Sequence, residues 1–193
     1  RALETSARDT FNAITVDGEP STNDSLFALA SGAGGVAIDD ATYPALLEAF
    51  LTVSRELALG IVRGGEGATK LISVTVSDAA SRDGARQVAR TIANSPLVKT
   101  AVHGADPNWG RIVSAAGRSG APFELGKTTV RIGGIVLFDR GVAHDERAPQ
   151  AAEHLQGSTV QIDVTLGFGH DAATIWTCDL TAEYVRINGE YRT

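Results

Sequence analysis

Methionine is absent from the sequence, and cysteine occurs once, as Cys178. Without methionine the chain has no start residue of its own. Its opening run, Arg1-Ala2-Leu3-Glu4-Thr5-Ser6-Ala7-Arg8-Asp9-Thr10, reads as the middle or end of a helix without an N-cap. The expectation is a cleaved or truncated piece of something longer. A lone cysteine excludes an intramolecular disulfide, nearly excludes a cysteine-based zinc site, and fits a reducing cytoplasm. No apolar run approaches the ~18 residues of a transmembrane helix, and no signal peptide opens the chain. Positive charge is in deficit, with 17 Lys and Arg against 23 Asp and Glu and a net charge of −6. No basic patch is obvious, so nucleic acid is not an expected partner. His103, His144, His154 and His170 show no metal-ligand spacing and no His-Glu-x-x-His occurs, so no metal is expected. The Gly-x-Ser-x-Gly elbow of serine hydrolases is missing too.

What is present is ordinary globular material, 43% hydrophobic and 21% charged. A chain of 193 residues buries roughly 70% of its unfolded surface, enough for a core without staples. Glycine is over-represented, at 21 residues, which predicts many tight turns or close backbone approaches.

Leu3, Ala7 and Phe11 form a helical stripe over 1–12. Ile14–Val16 reads as a short strand ended by Asp17-Gly18, and Ser25–Ala30 as a returning strand. The clearest helix runs over about 42–62, followed by a strand at Leu71–Val76 and a helix at Ser81–Ala93. Val98–Val102 reads as a strand and Asn108–Ala116 as a short helix. Beyond lie strands at Val130–Ile132, Ile135–Phe138, Val160–Leu166 and Thr174–Ile187, with a helix at Ala148–Leu155. Gly167–Asp171 is placed as a hairpin loop between the last two strands. The fold class is α+β, helices packed on an antiparallel or mixed sheet.

Four segments gather chemistry-bearing residues. In Gly64-Gly65-Glu66-Gly67-Ala68-Thr69-Lys70 three glycines surround one carboxylate. The order helix, loop, strand rejects a phosphate-binding P-loop, which needs a strand before and a helix after. Either this is an exposed turn, or the glycines let a ligand approach while Glu66 binds a cation or handles a proton. In His103–Arg111, Asp106 or Asn108 can cap the following helix, while Trp109 and Arg111 could line a pocket or a contact. Asp17–Asp24 lacks the ligand pattern of a calcium loop and reads as a capped polar turn, though its Ser21-Thr22-Asn23-Asp24 run is dense in hydrogen-bonding groups. The ending, Tyr184 to Thr193, reads as a strand with an aromatic, arginine-bearing tail. Spacing alone assigns no reaction.

Taken in order, Phe11–Gly18, Ser21–Asp24, Gly65–Lys70, Gly104–Arg111 and Ile187–Thr193 resemble the β chain of the glutamate N-acetyltransferase (ornithine acetyltransferase) family, over essentially the whole of 1–193. The resemblance implies a layered α/β sandwich with mixed or antiparallel sheets and flanking helices, of the N-terminal-nucleophile-like kind. It implies a precursor that cuts itself before a threonine, which then takes acetyl from N²-acetylornithine and passes it to L-glutamate. Some members also accept acetyl-CoA; no cofactor is implied. The partner is the α chain, commonly as α₂β₂, in the cytoplasm, with no membrane involved. The α chain carries the oxyanion donors and a substrate-binding lysine.

A free α-amine has a pKa of about 8, so an N-terminal threonine carries its own base beside its hydroxyl. By the family's spacing this nucleophile lies roughly twenty residues upstream of Arg1, so no catalytic residue is expected within 1–193. Three substrate-binding positions carry over: Glu66, Asn188 and Thr193. Glu66 suits an ammonium partner, the Asn188 amide can donate to a carboxylate, and Thr193 offers a hydroxyl. Two further readings are a related amidohydrolase or aminopeptidase that gives its acyl group to water, and a non-catalytic half that only completes an interface.

Overall fold

The computed structural model describes residues 1–191; the expected site residue Thr193 lies outside the described residues. The elements run α1 (Ala2–Arg8), a 3-10 turn (Phe11–Ala13), α2 (Tyr43–Arg63), β1 (Leu71–Ala79), α3 (Arg82–Ala93), α4 (Pro96–His103) and α5 (Trp109–Gly117). Then follow β2 (Thr129–Ile132), β3 (Ile135–Asp139), β4 (Val142–Ala143), α6 (Ala148–Leu155), β5 (Thr159–Thr165), β6 (Asp171–Cys178) and α7 (Ala182–Glu190).

The strands form one mixed sheet in the order β4-β3-β2-β5-β1-β6. β1 is parallel to β5 and antiparallel to β6. Period-2 alternation sorts the two faces. Ile72, Val74 and Val76 of β1 and Val160, Ile162 and Val164 of β5 are buried on one face, beneath Ala85, Val88, Ala89 and Ile92 of α3 and Ala151 and Leu155 of α6. Each buried Val, Ile or Leu contributes about 1.5–3 kcal/mol by leaving water, and the alanines let the helices approach closely. The opposite face is polar: Ser73 lies beside Gln161, Thr75 beside Asp163 and Ser77 beside Thr165.

Five expectations need correction. Val98–Val102 is not a strand but most of helix α4. Its β-branched residues suggested a strand, yet Ser95 caps the helix, Pro96 opens it, and Val98, Ala101 and Val102 are buried at helical spacing. The strand expected over Thr174–Ile187 stops at Cys178, and α7 begins at Ala182 because the Thr181 hydroxyl accepts the Tyr184 N–H as an N-cap. Gly167–Asp171 is no hairpin loop, since β5 and β6 are separated by β1. The connection crosses over the end of β1 instead, where Phe168 and Gly169 both donate to the Asp78 carbonyl. Ser25–Ala30 forms no strand; Phe27 is 80% and Leu29 97% exposed, so this segment finds no core to pack on. Ile14–Val16 makes only a single bridge, Ile14 to Trp176.

Candidate functional site

Two loops and one helix meet at the end of β1. The first loop leaves the 3-10 turn and carries Ile14–Asp17. Arg90 of α3 donates to the Asn12 carbonyl at 2.5 Å and to the Ile14 carbonyl at 3.3 Å. The Thr15 hydroxyl donates to Asn94 Oδ1 at 2.7 Å, and the Lys99 amine donates to the Val16 carbonyl. Lys99 is only 4% exposed. Its burial lowers the amine from its ordinary pKa, partly countered by Cys178, Asp17 and Asp179.

The second loop, Gly64–Lys70, carries Glu66 and is fastened at its far end by Asp179. That carboxylate accepts the Thr69 N–H, the Lys70 N–H and His103 Nδ1, each at 2.8 Å, as well as the Thr69 hydroxyl. Burial alone would raise the Asp179 carboxyl, but the bonds from Thr69, His103 and Lys70 outweigh it and hold the pKa below the usual carboxylate value. Lys70 is fully occupied, its amine donating to the carbonyls of Val102, His103 and Leu155. It is a structural clasp, not a ligand-binding cation.

The glycines around Glu66 have a steric cause. A Cβ on Gly65 would stand 3.1 Å from Val16 Cγ1 and 3.3 Å from Cys178 Sγ. Gly67 has φ +66°, and a Cβ there would fall 2.5 Å from the Tyr184 nitrogen and 2.8 Å from Thr181 Oγ1. The loop is thus wedged between Val16 and the first turn of α7, with the Thr181 hydroxyl donating to the Gly67 carbonyl at 2.9 Å. The loop is held on both sides, while the Glu66 side chain itself remains exposed.

Glu66 and Asn188, 122 residues apart, are brought together: Asn188 Nδ2 donates to Glu66 Oε2 at 2.6 Å and to the Tyr184 carbonyl at 3.0 Å. Both partners are acceptors, so they fix the amide's orientation. Its two N–H bonds are used, one of them on the Glu66 carboxylate. Among the described residues, Glu66 Oε1 and Asn188 Oδ1 have no donor, and the corner they form is lined by acceptors. Such a lining suits an ammonium group.

A cavity of about 860 Å³ opens on the other side of Val16, lined by Phe11, Thr15, Val16, Gly18, Ser21 and Asp24 among others. The Ser21–Asp24 loop thus belongs to a cavity wall. Within His103–Arg111, Asn108 caps α5, Trp109 stacks on Phe138 at 4.8 Å, and Arg111 donates to the Leu97 carbonyl at 2.9 Å. Asp179, Lys99 and Tyr184 escaped sequence reasoning. The signal for Tyr184 was available in Thr181-Ala182-Glu183, a capping residue followed by good first-turn residues. Among the described residues no group of three or more His, Cys, Asp or Glu could hold a metal, and no helix is long and apolar enough to cross a membrane.

A helix-covered mixed sheet with a glycine-wedged carboxylate in the loop before β1, beside a helix-borne amide, defines an α+β protein with a small polar corner. The comparisons place it more narrowly. The chain belongs to the ArgJ family, whose pattern it matches over residues 1–193. It is 46% identical over 195 residues to the arginine biosynthesis bifunctional protein ArgJ of Chlorobium chlorochromatii, covering 99% of this chain and 45% of that protein. It is also 46% identical to ArgJ of Synechocystis over 203 residues, 99% of this chain and 49% of that protein. The crystal structure of ArgJ from Bacillus halodurans superposes with a TM-score of 0.94 at 40% identity, covering 98% of this chain and 91% of that one. The family resemblance and the α+β class both hold. The chain spans about half the length of the curated relatives it matches.

Proposed function

We propose that residues 1–193 belong to the β chain of a self-cleaving acetyltransferase of arginine biosynthesis. It moves acetyl from N²-acetylornithine to L-glutamate, and acetyl-CoA is a second donor of the same chemistry. The nucleophile is an N-terminal threonine on the segment that precedes Arg1, and the oxyanion donors come from an α chain, in an α₂β₂ assembly in the cytoplasm. Glu66, Asn188 and Thr193 bind substrate. The observation that carries this reading is the Glu66–Asn188 contact at 2.6 Å, which joins two of the three expected substrate positions across the length of a chain that matches the ArgJ family throughout.

In this reading the neutral α-amine of the threonine takes the proton of its own hydroxyl, and the oxygen attacks the acetyl carbonyl. The carbon–nitrogen bond breaks and ornithine leaves with the proton on its amine. Glutamate's α-ammonium gives one proton to the threonine α-amine, the freed amine attacks the acetyl ester, and its next proton restores the hydroxyl. N²-Acetylornithine keeps one ammonium, on its side chain, glutamate carries an α-ammonium, and each offers that cation for recognition. The acceptors Glu66 Oε1 and Asn188 Oδ1 serve this binding.

The test is denaturing intact-mass spectrometry of the complete two-chain enzyme, before and after N²-acetylornithine. One acetyl group gained by a species that begins with threonine is expected. Glu66→Gln should lower kcat/KM by at least about tenfold. No acetyl gain, together with unaltered kinetics in Glu66→Gln, would refute the reading. Acyl release without any dependence on glutamate would place the protein with the amidohydrolases instead.

A further inference from the structure

The resemblance assigns no role to Asp17 or Tyr184, yet the fold carries both to the same corner. Val16 and Gly65 lie side by side, since a Cβ on Gly65 would stand 3.1 Å from Val16 Cγ1. The next residue in each segment is a carboxylate, Asp17 in one and Glu66 in the other. Helix α7 holds both. Its Tyr184 hydroxyl donates to Asp17 Oδ2 at 2.9 Å, and its Asn188 amide, one turn later, donates to Glu66. Residues four apart share a helix face, so one face of α7 sets the spacing of two anions from two separate loops.

We propose that Tyr184 is a positioning residue of the substrate site, its hydroxyl fixing Asp17 as a second anion beside the Glu66–Asn188 pair for recognition of the substrate's ammonium group. This rests on the function proposed above. The phenol suits the role. Burial, then the hydrogen bond to Asp17 and the charges of Asp17 and Glu66, push its pKa up to about 12, so it remains a donor at every working pH. Asp17 is also oriented from its own loop, where Oδ1 accepts the Glu19 N–H at 3.0 Å. The loop itself is independently strapped by Arg90, Asn94 and Lys99. Removing the Tyr184 hydroxyl therefore frees the Asp17 side chain without dismantling the loop.

The experiment compares Tyr184→Phe, Asp17→Asn, the double variant and Glu66→Gln in the complete two-chain enzyme, varying N²-acetylornithine and glutamate separately. Each of the two single changes should raise KM about tenfold, the effect of losing a hydrogen bond to a charged group. The turnover number should stay within about twofold, and the double variant should be no worse than the worse single one. A KM effect on the donor points to its side-chain ammonium, and an effect on glutamate to its α-ammonium; either supports the proposal. A purely structural role would lower kcat through lost active enzyme and leave KM unmoved, and that result overturns it. So do wild-type constants in both singles while Glu66→Gln is impaired. If Glu66→Gln is itself silent, the underlying assignment of the site fails, and this proposal with it.

Discussion

Gly67→Ala isolates the steric wedge that shapes the site. The new Cβ would sit 2.5 Å from the Tyr184 nitrogen, 2.8 Å from Thr181 Oγ1 and 3.0 Å from the Glu183 carbonyl carbon. Two of these neighbours are backbone in the first turn of α7, and the third is its capping hydroxyl, so none can swing aside. The left-handed φ of +66° adds about 1–2 kcal/mol for any residue with a Cβ, and forced overpacking about 1–3 kcal/mol. The sum, about 2–5 kcal/mol, corresponds to a fall in Tm of roughly 4–20 °C for a unit of this size. Relief by moving α7 outward would part Asn188 from Glu66, so acetyl transfer should fall along with Tm. Thermal unfolding of the two-chain protein followed by circular dichroism, with initial rates on the same preparation, measures both. Gly64→Ala is the control. Its φ is −86° and its Cβ would come no nearer than 3.3 Å to the Gly60 carbonyl, so it should unfold within about 2 °C of the parent. If Gly67→Ala unfolds at the parent temperature with full activity, the wedge does not exist.

Other expectations follow from the buried groups. The Asp179 carboxyl is held below its ordinary pKa in the fold, so the unfolded chain binds the extra proton. Its stabilisation is fully present above the ordinary carboxylate pKa of about 4 and is lost as pH falls below that value. Tm recorded against pH should therefore drop on the acid side, and Asp179→Asn should start lower and flatten that limb; an acid limb of unchanged depth would contradict the assignment. Lys99 is lowered as well, here because burial disfavours its charged form. Its linkage makes stability rise with pH from the folded value up to the ordinary lysine pKa of about 10.4, a trend that Lys99→Met should abolish in the same titration. Cys178 is 2% exposed and its thiol is pushed up by burial foremost. A thiol reagent should react with it only on unfolding, and stoichiometric labelling of the native protein at neutral pH would show the strand end to be open.

Period and capping made much of the fold legible. The alternation of Val160, Ile162 and Val164 announced β5, and Ala85, Val88, Ala89 and Ile92 announced the buried face of α3. What failed was non-local. Nothing in Gly167–Asp171 says that β1, written long before, has already taken the place beside β5. α4 was hidden because its valines suit strands by propensity, and only burial against the core decides for a helix. Glu66 and Asn188 were found by resemblance, not by spacing. Asp179 was missed because an acidic residue after a strand looks like surface, whereas here it closes the backbone of a loop 110 residues away.

That separation has a consequence for how the protein comes into being. Glu66 is translated before its partner Asn188, which is 122 residues further on, in α7. The clasp from Lys70 to Leu155 spans 85 residues, and β1 has no lateral partner until β5 exists. Long-range pairing of this kind forms slowly and leaves strand edges open in the interval. A nascent chain interrupted anywhere before α7 would have a core in the making and no Glu66–Asn188 contact at all. That contact therefore doubles as a certificate that synthesis reached α7.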